Sequence, residues 1–176
     1  MYPLIRLCTT RIRSFFAPSI RFDGEVETRF KCMPWDLDTF LEMNNGRVLT
    51  LYDLGRFDLA FRTGLMKILR RKKWGLVVAG ASVRYRNRVK ALDDVTIRTR
   101  VAGFDDRWIY IVQSMWVGDI PCSSILLRTA VTRKGRAVTT DELAETLGLD
   151  ASFISLPDWV ASWIQGEKDR PWPPPK

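Results

Sequence analysis

Between Gly46 and about Thr63 the apolar residues Val48, Leu49, Leu51, Tyr52, Leu54, Phe57, Leu59, Ala60 and Phe61 crowd too closely to form one stripe on a helix. At 100° per residue they wrap most of the circumference, and such a helix has to be covered on several sides. Gly55 interrupts the segment. A glycine in a helix interior costs roughly 1 kcal/mol relative to alanine, so its presence predicts the close approach of another backbone. Gly64 marks the end of the helix, and Leu65 to Lys73 reads as a short basic helical turn.

The material available to cover this helix is β-prone. Phe22 to Cys32 alternates apolar and charged residues with period two, the pattern of a half-exposed strand. Trp74 to Val89 begins as a run expected to be buried, Leu76 to Ala81, then sets Val83, Tyr85, Asn87 and Val89 against Arg84, Arg86 and Arg88. Val95 to Ala102, Trp108 to Val117 and Ser124 to Arg133 follow, separated by turn signals at Gly103-Phe104-Asp105-Asp106 and Gly118-Asp119, and Lys134-Gly135 closes the last of them. Asp141 to Leu147 reads as a short helix capped by Thr139 or Thr140. One strand, a long helix and four consecutive strands predict an α+β fold in which an antiparallel sheet curls around one helix. An exposed edge of that sheet would favour dimerisation.

Flanking segments divide the chain into 1–21, 22–148 and 149–176. The first carries Leu4, Ile5, Leu7, Ile12, Phe15 and Phe16 among Arg6, Arg11 and Arg13, without the uninterrupted apolar run of a secretory signal or a membrane span. It is amphipathic, broken near Ala17-Pro18, and either docks on its own fold or lies on anionic lipid. The last segment holds Trp159 and Trp163 and ends in a charged, proline-rich tail, Lys168 to Lys176, whose final residues are expected to be disordered.

The chain contains no histidine. That removes Ser-His-Asp and Cys-His catalysis and histidine-dependent zinc sites, so no metal is expected and carboxylates carry any acid–base chemistry. Cys8, Cys32 and Cys122 are odd in number and widely spaced, which suits buried thiols in a reducing, cytoplasmic setting. The formal charge of +8 is concentrated between Arg62 and Lys90, where no Asp or Glu intervenes. Such a field favours an anionic partner, or is simply a solvated face. The aromatic stacking motif of a nucleic-acid reader is missing, and no nucleic acid is expected.

Chemistry concentrates just before the central helix, where Asp36, Asp38 and Glu42 precede Asn44 and Asn45. Either asparagine suits the N-cap, and the free amides of Asn45, Gly46 and Arg47 would then face any bound carbonyl or anion. Acids at this position also occur simply because they favour the helix dipole, by about 0.3–1 kcal/mol each.

The element order and the phrase Asp-Leu-Asp-x-x-x-x-Met-Asn-Asn at 36–45 resemble the hot-dog fold acyl thioesterases, in particular the 4-hydroxybenzoyl-CoA thioesterase-like group and the plant acyl carrier protein thioesterases. The resemblance covers about residues 22–147. It implies a hydrolase for acyl-CoA or another acyl thioester, acting in lipid metabolism, with coenzyme A as part of the substrate and no separate cofactor. Asp38 matches the family's nucleophile or general base, while Glu42 stands where the plant enzymes have histidine and Phe40 where they have asparagine. Glu42 would then support or replace Asp38. Asn44, Asn45, Gly46 and Arg47 shape the helix start and are candidates for substrate binding, and Arg84, Arg86 and Arg88 are candidates for the phosphates of coenzyme A, since arginine pairs with phosphate bidentately. A homodimer or dimer of dimers, with active sites at the subunit interface, is implied as well. Two other functions fit the residues: a hot-dog protein that binds acyl-CoA or acyl carrier protein without turnover, and a basic peripheral membrane-binding protein.

Overall fold

The structure, a computed structural model, describes residues 2–149, 155–171 and 173–174. The segment rich in apolar residues forms α2 (Asn45–Arg62), and the sheet that covers it contains β1 (Glu25–Lys31), β2 (Gly75–Tyr85), β3 (Asp94–Phe104), β4 (Ile109–Val117), β5 (Ile120–Arg133) and β6 (Arg136–Ala137). The strand order is β1-β3-β4-β5-β2, with β6 on β5, and every pair is antiparallel. The sheet curls around α2, the arrangement of a hot-dog fold. Leu51, Tyr52, Leu54 and Leu59 of α2 are buried with Val95, Ile97, Met115, Ile125 and Leu127 of the strands. Each large apolar side chain withdrawn this way contributes about 1.5–3 kcal/mol.

Gly55 is where helix and sheet come closest. A Cβ there would fall 2.9 Å from Gln113 Nε2, 3.0 Å from Ile97 Cγ2 and nearer still to Thr99 Oγ1. The expected close approach is real, but side chains make it rather than a backbone. Buried Gln113 donates to Tyr52 O (2.8 Å) and Thr99 Oγ1 (2.9 Å) and accepts from Arg56 Nη1 (2.7 Å), so the polar groups beside Gly55 are paired.

β2 departs from expectation in two ways. Its first half, expected to be buried, is exposed at Leu76, Val77 and Val78, because among the described residues β2 pairs only with β5 and stands at the border of the sheet. It also stops at Tyr85 instead of Val89, since the amides of Arg86 and Asn87 both turn to Cys122 O (2.8 and 3.1 Å). After α3 (Leu65–Lys72), Lys73 takes a left-handed conformation that turns the chain into this strand.

Two terminal helices add layers. α1 (Leu4–Phe16) covers the free edge of β1, where Arg6 and Arg13 donate to the carbonyls of Lys31 (2.9 Å) and Arg29 (3.1 Å). α4 (Thr140–Leu147), capped by Thr139, closes the first body of sheet and helices. α5 (Asp158–Asp169), which the sequence reading did not anticipate, lies on the outer face of the sheet. There Val160 and Trp163 pack with Ala102, Tyr110 and Leu126, so Trp108 and Tyr110 belong to an outer core and not to the face around α2. Arg128 is held between the rings of Trp108 and Trp163 at 5.0 and 5.8 Å. The disorder expected at the extreme C-terminus falls largely outside the described residues.

Candidate active site

Residues 36–44 form a miniature hairpin ahead of α2. Leu37 bridges to Met43, Asp38 N donates to Glu42 O (2.8 Å) and Asn44 N to Asp36 O (2.9 Å). The tip is Thr39-Phe40-Leu41, with Leu41 at φ 59°, a left-handed conformation unusual for a residue with a Cβ. Asp38 and Glu42 thus face each other across the ladder.

The three acids have separate environments. Asp36 has 0% side-chain exposure and accepts from Arg6 Nη1 (3.1 Å) and Nη2 (2.6 Å), Arg47 Nε (2.7 Å) and Met33 N (2.9 Å). Burial alone would raise its pKa, but the hydrogen bonds from Arg6, Met33 and Arg47 outweigh that and hold the carboxyl below its ordinary value. This residue ties α1 to the hairpin and to the first turn of α2. Asp38, half-buried, accepts from Phe40 N through Oδ1 (2.8 Å), an Asx turn that shapes the tip. Glu42 is also half-buried, its enclosed Oε2 2.7 Å from Arg88 Nε in an ion pair whose angle falls outside hydrogen-bond geometry.

Asn44 is the N-cap, its Oδ1 accepting from Gly46 N (2.9 Å) and Arg47 N (3.2 Å). Two of the three amides expected to meet an oxyanion are therefore occupied by the cap. Asn45 N has no hydrogen-bond partner among the described residues. The Arg47 guanidinium is likewise engaged with Asp36, which redirects that arginine from substrate to scaffold.

Glu42, Asn45, Arg86 and Arg88 converge on one cleft of about 190 Å³ between the start of α2 and the end of β2. Met115, Cys122 and Ser123 line its floor, and Tyr85 Oη reaches Asn45 O at 3.4 Å. Beneath them Tyr52 Oη and Ser123 Oγ share a buried 2.9 Å hydrogen bond, and burial raises the tyrosine pKa well above its ordinary value. Arg84 projects from β2 outside this cleft, and Asp38 is not among its lining residues. A larger, mainly apolar cavity of about 580 Å³ lies further along α2, against α3 and the free strand, where Phe57, Ala60, Met66, Leu69, Leu76 and Val78 meet. Arg70 and Lys73 stand at its margin.

Sequence reasoning missed the part of Asp36, and of Tyr52 and Ser123. For Asp36 the only local signal was its neighbour two residues on; the partner that decides its role, Arg6, is thirty residues away.

The profile of the family described as thioesterase-like superfamily matches residues 32–164. Two relatives, each named Protein THEM6, are 36% identical: one from Drosophila melanogaster over 136 residues, 76% of this chain and 68% of its own, and one from Xenopus laevis over 81 residues, 46% of this chain. The match spans only 39% of the length of the Xenopus protein. Among solved structures, the probable thioesterase YbaW from Escherichia coli superposes with a TM-score of 0.65 at 18% identity, covering 73% of this chain and 98% of that one. A thioesterase from Thermus thermophilus, solved with coenzyme A and Zn, superposes with a TM-score of 0.59 at 18% identity over 71% and 96% of the two chains.

Proposed function

The chain belongs to the thioesterase-like superfamily, and from that premise we propose that it hydrolyses acyl thioesters, with acyl-CoA as the substrate, in the cleft at the start of α2. The observation that carries this reading is the convergence of an acid, an unoccupied helix-start amide and two arginines, Glu42, Asn45, Arg86 and Arg88, on one cleft. Coenzyme A is strongly anionic, and Arg86 and Arg88 offer its phosphates forked donors. The apolar cavity beside α2 suits an acyl chain, and the Thermus thermophilus neighbour was solved with coenzyme A.

The thioester carbonyl is set against the free amide of Asn45 and the positive end of α2, which stabilise the charge that develops on its oxygen. A carboxylate accepts a proton from water as the water oxygen attacks the carbonyl carbon. The tetrahedral intermediate then collapses, the C–S bond breaks, and coenzyme A leaves as the thiolate. Asp38 is the family's acid for this role, acting as base or as nucleophile. Glu42, which lines the cleft and has Arg88 as its counter-charge, supports it or takes its place. Arg84 contributes only if the pantetheine arm runs out along β2.

The free edge of β2, with Leu76, Val77 and Val78 exposed, is a template for antiparallel pairing, and the reading includes a homodimer or dimer of dimers in the cytoplasm. A second functional reading, a protein that binds acyl-CoA without turnover, is favoured by the cap: Asn44 occupies the Gly46 and Arg47 amides, and Asp38 is committed to a turn.

Thiol release from a panel of acyl-CoAs separates the two. Loss of about 10²-fold or more in kcat with Asp38→Asn or Glu42→Gln, at unchanged folding, is expected for the hydrolase. Saturable binding of acyl-CoA with no thiol release above the uncatalysed rate assigns the chain to the second reading.

A further inference from the structure

α1 is built inside out. Leu4, Ile5, Cys8, Ile12, Phe15 and Phe16 fall within about a third of the helix circumference at 100° per residue, and all six are exposed. Ile5, Phe15 and Phe16 retain 82%, 82% and 81% of their surface. The face turned toward the protein is polar apart from Leu7, which is half-buried and packs against the core. Thr10 and Ser14 are buried, Ser14 Oγ donates to Asp58 Oδ1 at 2.7 Å, and Arg6 is bonded to Asp36. Helices that dock on a core by hydrophobic burial present the opposite faces. This one is anchored by hydrogen bonds, an ion pair and the single apolar contact of Leu7, and leaves its apolar arc outward.

We propose that α1 is an in-plane membrane anchor that seats the protein on an anionic lipid surface. The occupant follows from charge and shape. α1 contains no Asp or Glu, and Arg11 and Arg13 flank the apolar arc on its two sides, with no carboxylate within ion-pair distance among the described residues. An apolar stripe bounded by arginines is what the boundary between acyl chains and acidic headgroups accepts. Tyr2 and Trp35, both exposed, share one hollow near the start of α1, and such amphipathic rings favour the headgroup level. Pairing the same face with a second copy would set arginines against arginines around a small patch. Among the described residues no helix is long and apolar enough to cross a membrane, so the contact is interfacial. Asp36 and Asp58 fasten the anchor to the catalytic hairpin and to α2, so a lipid-bound α1 holds the body of the protein at the surface. This inference stands whether or not the cleft hydrolyses thioesters.

The test is flotation of the full chain with vesicles of phosphatidylcholine, alone or mixed with phosphatidylglycerol. Binding to the mixed vesicles is expected, weakening as salt is raised. Phe15→Ser with Phe16→Ser lowers partitioning about tenfold or more, and Arg11→Glu lowers the preference for the anionic lipid. Both variants keep the parent melting curve, because these side chains stand away from the core. Failure to float with either vesicle overturns the proposal, as does flotation that the phenylalanine substitutions leave unchanged. Concentration-dependent self-association that those substitutions abolish, without vesicle binding, reassigns the face to a second copy.

Discussion

Replacing Asp36 by asparagine tests how much of the structure hangs on one buried carboxylate. The side chain is fully enclosed and accepts four hydrogen bonds, three of them from two arginines that each keep 16% exposure. Removing one partner of a buried ion pair costs about 3–5 kcal/mol, because the remaining charge is left enclosed without compensation. Here water still reaches one side of each guanidinium, which places Asp36→Asn at the lower end, about 3 kcal/mol. For a chain of this size that lowers Tm by about 6–12 °C. The pH dependence has a definite sign. The folded-state pKa is depressed, so the stabilisation is present above the unfolded value near about pH 4 and is lost as pH falls through the folded value. Urea titrations at neutral pH and at steps below pH 4 measure both. Parent and variant should converge in acid, and Arg6→Met combined with Asp36→Asn should cost less than the two single changes summed. A neutral-pH difference under about 0.5 kcal/mol, or parallel pH profiles, refutes the assignment of Asp36 as the tie between α1, the hairpin and α2.

Three further outcomes follow from the geometry. Gly55→Ala gains about 1 kcal/mol of helix propensity but drives a methyl group into Thr99, Gln113 and Ile97, at about 1–3 kcal/mol of overpacking plus about 1 kcal/mol for a disturbed hydrogen bond, so the urea midpoint should fall. Asn44→Ala should cost about 1 kcal/mol, with Asn44→Ser restoring most of it, measured by the same titration. With a thiol reagent at pH 8, Cys8 should react at once. Cys32 and Cys122 should wait for denaturant: both are enclosed, and burial with help from nearby Asp36 pushes the Cys32 thiol up to about 11.

Features that depend on local pattern were legible in the chain. Apolar residues around the whole of 46–63 announce a covered helix, the β-prone segments announce its cover, and the paired asparagines announce an N-cap, which the structure places at Asn44 and not Asn45. α5 is encoded too, since Val160, Trp163 and Ile164 keep helical spacing after Pro157-Asp158, but its pattern is short and runs straight into a charged, proline-rich end. What depends on distant partners was hidden. In Asp-Leu-Asp the two acids look equivalent, and only Arg6 decides that the first is structural. An apolar arc on α1 says that the helix has two faces, but not that Asp36 and Asp58 will draw in the polar one. Exposure of Leu76 to Val78 is set by which strand stands at the border of the sheet, a matter of topology that no run of valines encodes.

The amide of Gln113, braced by Thr99 on the neighbouring strand, grips the middle of α2 at two points, Tyr52 and Arg56, where Gly55 lets the two surfaces touch. Sliding the helix by a single turn would break the bonds from Gln113 to Tyr52 and Arg56 in a dry interior. α2 is therefore a fixed rail, and whatever flexing admits a bulky guest has to come from the border strand β2 and the Phe40-Leu41 fingertip, leaving the axis of the molecule still.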